Sequence, residues 1–502
     1  MSGNLVHTLF DHRDPAALAY RFGDASPRTV GAFRKNIRKM ASALVLSGVE
    51  PGDRISFKLE KSEEVLFLAQ ACLQIGAILH PLNTSYTDAE IGFLVSDATP
   101  KLFVCSSEDR TRFASLLDVP VLTLDRDLGG SLGDRTNSGV ELPDVATKTS
   151  GDTAALLYTS GTTGRPKGAC ITHGNLAESA KALTAVWNIG ATDTLLHPLP
   201  LYHAHGLLTS VNTMLVGGAF IHFIDGFQID EVMRSLEVAT ILMGVPTHYA
   251  RLTKDERLAQ ATRALRLVIS GSAPLPSELA SRFEAITGKA IIERYGATET
   301  AIVTAIPPGT TDRSGWVGWP LPGVSVRIDQ NGQKRSGPAI GGLETRGHNV
   351  FSGYWRQPDA DADAFTEDGW FVTGDIGEID AQGCVRLLGR SKDLVISGGL
   401  NVYPKEVEDA LGVLLDGREV AVFGAPHPDF GEAVVAAIEG VSPIPPEIEL
   451  QTALRKTLAP YKVPKRIIAV GNIPRNRTGK VLKNELRDTH RDIFKSGTPT
   501  KK

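Results

Sequence analysis

Between residues 30 and 105 the chain switches repeatedly between two hydrophobic periods, and that alternation constrains the fold more than any other feature. Phe33, Ile37, Met40, Ala41, Leu44 and Val45 recur at helical spacing and predict one apolar helix face. RISFKL then alternates as a strand through Ile55, Phe57 and Leu59. An apolar helix from about Val65 to Ile75 follows, then a strand in AILHPL, a polar helix, and a strand in KLFVC. Strands separated by helices rather than by tight turns predict a largely parallel sheet covered by helices. No internal repeat interrupts the pattern.

A chain of 502 residues exceeds what one compact core supports and predicts about two to four domains. Its 53 basic and 57 acidic residues are mixed, so the net charge of −4 leaves no footprint for nucleic acid or a membrane surface. The tail SGTPTKK reads as solvated. MSGNLVHTLFDHRDP lacks the basic start and apolar core of a signal peptide, and no stretch reaches the roughly 18 apolar residues of a membrane span. Cys72, Cys105, Cys170 and Cys384 stand too far apart to suggest a zinc site or a disulfide framework. A reducing, cytoplasmic setting is expected.

Residues 125 to 153 are polar and glycine-rich and read as a long surface connection. They contain LGGSL, which is similar to a carrier-protein attachment site, but the serine comes one place too early and a loop is expected. From about residue 391 a smaller unit begins. KDLVIS reads as a strand, PKEVEDALGVLL as a helix with proline near its start, and REVAVFG as a strand. A helix near 447 to 458 and the strand KRIIAV complete enough chain for a separate domain.

The most informative stretch is LLYTSGTTGRPKGACITH, residues 156 to 173. A buried strand runs into a loop of glycines and hydroxyl residues. Such a loop turns backbone N–H groups toward an anion, while Thr159, Ser160, Thr162 and Thr163 add donors and Lys167 adds charge. It is not a Walker loop, because Pro166 stands where that motif needs glycine.

The full string resembles the phosphate-binding signature of the acyl-adenylate-forming superfamily, which includes acyl-CoA synthetases, carrier-protein adenylation domains and beetle luciferases. Four further segments resemble that family's signatures in the expected order: YGATET (295 to 300), GWFVTGDIG (369 to 377), GRSKDLVISGGLNVYPKEVE (389 to 408) and PRNRTGKVLK (474 to 483). The resemblance implies an α/β fold. A large N-terminal domain of helix-covered, mostly parallel sheets, residues 1–390, would bind ATP and the acyl group. A small mobile α+β domain, residues 391–502, would carry the catalytic lysine.

The resemblance also implies roles. Ser160, Gly161, Thr162, Thr163 and Lys167 would cradle the phosphates of ATP. Thr159 and Glu299 would hold Mg2+, a hard cation suited to oxygen ligands. Tyr295 would stack on adenine, with Gly296 and Thr298 in the same segment and the backbone of Ser270, Gly271, Ser272 and Ala273 along the ring edge. Asp375 and Arg390 would contact the ribose, and Lys392 would sit at the hinge. Lys480 would bridge the attacking carboxylate and the α-phosphate as charge develops. Gly398 and Gly399 would let the pantetheine arm of coenzyme A pass close to the backbone. Acetylation of Lys480 by a lysine acetyltransferase would remove the charge that the first step needs.

Arg294 is the unusual residue. AIIERYGATET (290 to 300) enters as an apolar strand and ends in a guanidinium, where the family commonly has a small residue. An unpaired buried charge is very costly, so Arg294 either points into water or has an acidic partner: a protein carboxylate such as Glu293 or Asp375, or a second carboxylate on the substrate. LPLYHAHGL (199 to 207) resembles the family's acyl-pocket segment, with His203 at its usual histidine position. His205 is either a further donor to that distal carboxylate or a core histidine.

ERYG, YHAHGL, MGVPTHY and ISGSAPL together resemble the malonyl-CoA synthetase branch. Ala204 stands where threonine is expected, Ala297 where methionine is usual and Ile302 where methionine is common. Ala204 and Ile302 would leave room for a substituent between the two carboxylates. The expected substrates are therefore malonate and methylmalonate, with ATP and coenzyme A. The alternatives are a CoA ligase for another short acid and an adenylation enzyme that loads a carrier protein.

Overall fold

The computed structural model describes residues 3–138, 144–159, 166–398, 400–415, 417–440, 444–475 and 480–495. Its first sheet answers the alternation read from residues 30 to 105. Across it lie Val121–Thr123, Leu102–Cys105, Arg54–Lys58, Ile78–Pro81, Thr153–Thr159 and Lys167–Thr172. Each neighbouring pair is parallel except the last, which is antiparallel.

A second sheet has the order Trp319–Pro320, Thr304–Ala305, Ile291–Tyr295, Leu267–Ser270, Ile241–Gly244, Thr194–His197, Phe220–Phe223, Leu18–Phe22, Arg28–Thr29. Its six inner strands are parallel. The parallel run puts the last residues of four neighbouring strands, His197, Gly244, Ser270 and Tyr295, at one edge of the sheet. Ligands of open α/β sheets bind at such carboxyl ends.

An antiparallel sheet of five strands, Val324–Gln330 to Val385–Arg390, follows. Next comes a smaller sheet built on the antiparallel pair Val420–His427 and Gly431–Glu439, with Arg466–Val470 added in parallel. Val395, Val407, Leu411, Val422, Val434 and Leu454 form a separate core there. The molecule thus has a large N-terminal domain of parallel sheets and a smaller C-terminal domain.

Three local expectations change. The helix Val30–Leu46 buries Phe33, Ile37, Met40, Ala41 and Leu44, but Val45 is 46% exposed. One residue past Leu44 turns the side chain by about 100°, off the buried stripe. Leu59 lies beyond the strand Arg54–Lys58 and is only half-buried. Residues 126–137 are not a plain surface connection but short helical turns, and Leu132 is fully buried in the main core. Ser131 there exchanges hydrogen bonds with Thr123: its N–H donates to Thr123 Oγ1 at 2.8 Å, and its Oγ accepts from the Thr123 N–H at 3.0 Å. Among the described residues no helix is long and apolar enough to cross a membrane. All four cysteines are free and buried.

Candidate active site

Thr159 ends its strand beside the turn that leaves Tyr295. Its Oγ1 donates to Glu299 Oε1 at 3.0 Å, and the Tyr354 hydroxyl donates to the same oxygen at 3.1 Å. Tyr354 also offers its ring to Lys167, whose Nζ lies 5.1 Å from the centroid. Nothing in the sequence near Tyr354 signals this position, which is set by packing across the domain.

The turn itself is tightly held. Thr300 Oγ1 accepts from the Ala297 N–H at 2.9 Å, and Asn349 Nδ2 donates to the Thr300 carbonyl at 2.9 Å. A Cβ on Gly296 would fall 1.8 Å from the Ala301 carbonyl oxygen, so only glycine fits.

The oxygen pair of Thr159 and Glu299 suits a hard divalent cation. No group of three or more His, Cys, Asp or Glu gathers to hold a metal among the described residues. Mg2+ here would take its remaining ligands from phosphates and water. Ser160, Gly161, Thr162, Thr163 and Gly399 lie outside the described residues.

A second cluster joins two sheets. Asp375 and Arg390 are register partners on adjacent antiparallel strands. Arg390 Nε meets Asp375 Oδ1 at 2.7 Å, and the Tyr295 hydroxyl donates to Oδ2 at 2.5 Å. Burial pushes the Asp375 carboxyl up, while Arg390 and Tyr295 pull it back. Lys480 of the small domain lies within electrostatic range of this cluster. Desolvation lowers its pKa, Arg390 adds to the lowering, and Asp375 opposes it.

Lys392 sits in the short turn Ser391–Asp393 between the domains, and its carbonyl accepts from Arg487 Nη1 at 3.1 Å. Gly398, at φ +60°, turns the hairpin after Val395–Ser397 and donates its N–H to the Phe430 carbonyl at 2.9 Å.

The third cluster surrounds Arg294. This residue occupies the strand Ile291–Tyr295 and is 8% exposed, yet its Nε and Nη2 have no hydrogen-bond partner. Neither protein carboxylate named above is its partner. Glu293 accepts from the Leu275 N–H at 3.3 Å, and both oxygens of Asp375 are engaged by Tyr295 and Arg390. Burial alone pulls the Arg294 pKa down to about 10.

His205 stands close by in a π-helical segment, Ala204–Ser210. Its Nδ1 pairs with Ser272 Oγ at 3.1 Å, and its Nε2 is buried without a partner. Burial lowers the His205 pKa well below the usual value, and Arg294 lowers it further, so the ring is neutral. Ser270 Oγ is a further buried polar atom without a partner. Ser272 adopts a left-handed backbone at φ +69°, uncommon for a residue with a Cβ.

His203 and Ala204 line a cavity with Tyr158, Tyr202 and Thr298. Ile302 is buried just past the turn. These positions form three clusters around the strand that ends in Tyr295.

Fold and site together define an adenylate-forming enzyme. Residues 9–355 match the AMP-binding enzyme model, and residues 406–480 match the AMP-binding enzyme C-terminal domain. The chain belongs to the AMP-binding enzyme family, the acyl-CoA synthetase superfamily. ATP-bound MatB from Rhodopseudomonas palustris is 41% identical with a TM-score of 0.94, covering 99% of this chain and 100% of that one. The malonate–CoA ligase of Arabidopsis thaliana is 32% identical over 87% of this chain and 78% of its own length. A feruloyl-CoA synthase of Amycolatopsis is 33% identical over 94% of this chain and 96% of its own. The malonate–CoA ligase and the feruloyl-CoA synthase name different acids at 32% and 33% identity, so likeness alone does not choose the acid.

Proposed function

We propose that this chain ligates a short dicarboxylic acid, malonate or methylmalonate, to coenzyme A through an acyl-adenylate, releasing AMP and pyrophosphate. The observation that carries the reading is Arg294, a buried guanidinium with Nε and Nη2 left without an acceptor. A substrate bearing a second carboxylate supplies that acceptor bidentately. His205, neutral and with a free Nε2, stands beside it.

In the first step a carboxylate oxygen of the acid attacks the α-phosphorus of ATP, and the bond to pyrophosphate breaks. Asp375 and Arg390 hold the ribose, Tyr295 lies on adenine, and Thr159, Lys167 and Glu299 meet the phosphates. Thr159 and Glu299 would hold Mg2+, which would neutralise charge on those phosphates. Lys480 balances the negative charge that grows between the attacking oxygen and the phosphorus. In the second step the thiol sulfur of coenzyme A attacks the acyl carbon, AMP leaves, and the thiol proton passes to solvent.

Residues 391–502 turn about Lys392 between the steps. That rotation withdraws Lys480 and brings Gly398 and Gly399 to the pantetheine arm. Acetylation of Lys480 by a lysine acetyltransferase would stop the first step and spare the second.

A missing distal carboxylate leaves Arg294 buried and unpaired, worth up to about 10⁴-fold in specificity, while one methyl is worth roughly 10- to 200-fold. The test is pyrophosphate release with Mg·ATP and coenzyme A across malonate, methylmalonate, ethylmalonate, acetate and butyrate, for wild type and Arg294→Ala. Dicarboxylates should lead, and the substitution should erase the lead. Equal rates on butyrate and malonate would leave a CoA ligase for another acid. Adenylation without transfer to free coenzyme A would leave an enzyme that loads a carrier protein.

A further inference from the structure

Arg294 owes its place to a neighbour with no side chain. A Cβ built on Gly271 would lie 2.5 Å from Arg294 Cζ, 2.6 Å from Nε and 2.8 Å from Nη2. Nε and Nη2 are also the two nitrogens without a partner. The bare α-carbon of Gly271 therefore packs against the guanidinium beside these same two nitrogens.

The reason for glycine here is not backbone freedom. Gly271 is absent from the left-handed glycines, so an L side chain meets no φ penalty. The strand Leu267–Ser270 just before it keeps register with that of Arg294 through Val268–Ile291, Ile269–Ile292 and Ser270–Glu293, and the Gly271 N–H donates to the Gly244 carbonyl at 3.3 Å. A methyl at Gly271 thus meets the far end of a flexible side chain, while two hydrogen-bonded strands hold the backbone. The guanidinium is what gives way.

We propose that Gly271 is a specificity-determining residue, whose missing side chain positions the Arg294 guanidinium to take the distal carboxylate of the acid. This rests on the dicarboxylate reading above. Adding one methyl moves the guanidinium by the better part of an ångström or more to restore ordinary contact. Misplacement of about 1 Å in a positioning group can cost roughly 10²-fold in rate.

The experiment is a double-mutant cycle of Gly271→Ala and Arg294→Ala, reading kcat/KM for malonate and for butyrate and the KM for ATP. Gly271→Ala should cut the preference for malonate over butyrate by about 10²-fold. In the Arg294→Ala background the same methyl should leave the preference unchanged, because no guanidinium is there to meet it. Any effect of the methyl on adenine binding appears equally with both acids and cancels in the ratio.

A preference for malonate that survives Gly271→Ala, or an equal change in both backgrounds, overturns the inference. If Gly271→Ala alone fails to fold while the double variant folds, the conflict with the guanidinium is borne out. Failure of both overturns it. A separate outcome concerns the substrate: if Arg294→Ala by itself leaves the malonate preference intact, the dicarboxylate reading is what fails.

Discussion

The Tyr295 hydroxyl donates to Asp375 at 2.5 Å across the seam between the second sheet and the antiparallel one. Arg390 takes the other carboxylate oxygen at 2.7 Å. Asp375 is therefore a hub that joins the strand Ile291–Tyr295 to the strand Val385–Arg390, and on the proposed reading a ribose would bind to a carboxylate already fixed in orientation. Asp375→Ala removes charged hydrogen bonds worth about 1.5 to 3 kcal/mol each, and should raise the KM for ATP roughly 10- to 100-fold. Titration of ATP by initial rates checks this; an unchanged KM removes Asp375 from nucleotide binding.

On the proposed mechanism Lys480 serves the first half-reaction and not the second. Lys480→Ala should lower acid-dependent ATP–pyrophosphate exchange by about 10² to 10³, the usual loss of one electrostatic stabiliser. Thioester formation from supplied acyl-adenylate and coenzyme A should continue at near wild-type rate. Lys480→Gln, which copies the neutral acetylated side chain, should behave alike. Loss of both steps together would count against a role confined to the first.

Glu293 carries a pH signature. Burial raises its pKa to about 7, opposed by Lys405 of the small domain and by the Leu275 N–H. In the unfolded chain the carboxyl titrates at its ordinary value of 4.5. The folded protein thus holds a proton that the unfolded chain has released between these values. Stability falls as pH rises through that window and then levels, at a cost of at most about 3 kcal/mol. Glu293→Gln should raise the thermal midpoint at pH 8 and leave it unchanged near pH 4.5. Melting curves across pH decide it, and a constant difference would refute it.

The room beside His203 is the next handle. Ala204→Thr and Ile302→Met restore longer side chains where the chain has short ones. Each should depress kcat/KM for methylmalonate and ethylmalonate relative to malonate by roughly 10- to 200-fold, the range for one methylene-sized change. A matched set of rates on the three acids measures it. An unchanged ratio would move the C2 substituent elsewhere.

Much of this was legible because burial leaves a period in the sequence. The strands around Ile55, Leu79 and Val104 repeat buried residues at the spacing their sheet requires, so their parallel order followed from the helices between them. Arg294 was legible for the opposite reason, since a guanidinium at the end of an apolar strand contradicts its surroundings. Contacts between distant segments left no such mark. Tyr354 reaches Glu299 from 55 residues away, and Ser272 reaches His205 from 67. Leu132 looked exposed amid polar neighbours because the residues that cover it come from elsewhere in the core. The Gly271 contact with Arg294 was equally silent, for a glycine records nothing about the group that fills its empty side.

The burial of Cys72, Cys105, Cys170 and Cys384 has a practical consequence at the bench. Desolvation raises each thiol's pKa, which suppresses the thiolate that attacks disulfide reagents. A chromogenic disulfide added to the folded enzyme should therefore titrate the cofactor's sulfhydryl with almost no background from the polypeptide. Consumption of coenzyme A can be followed by colour alone, and the same reagent reports unfolding when four additional equivalents appear.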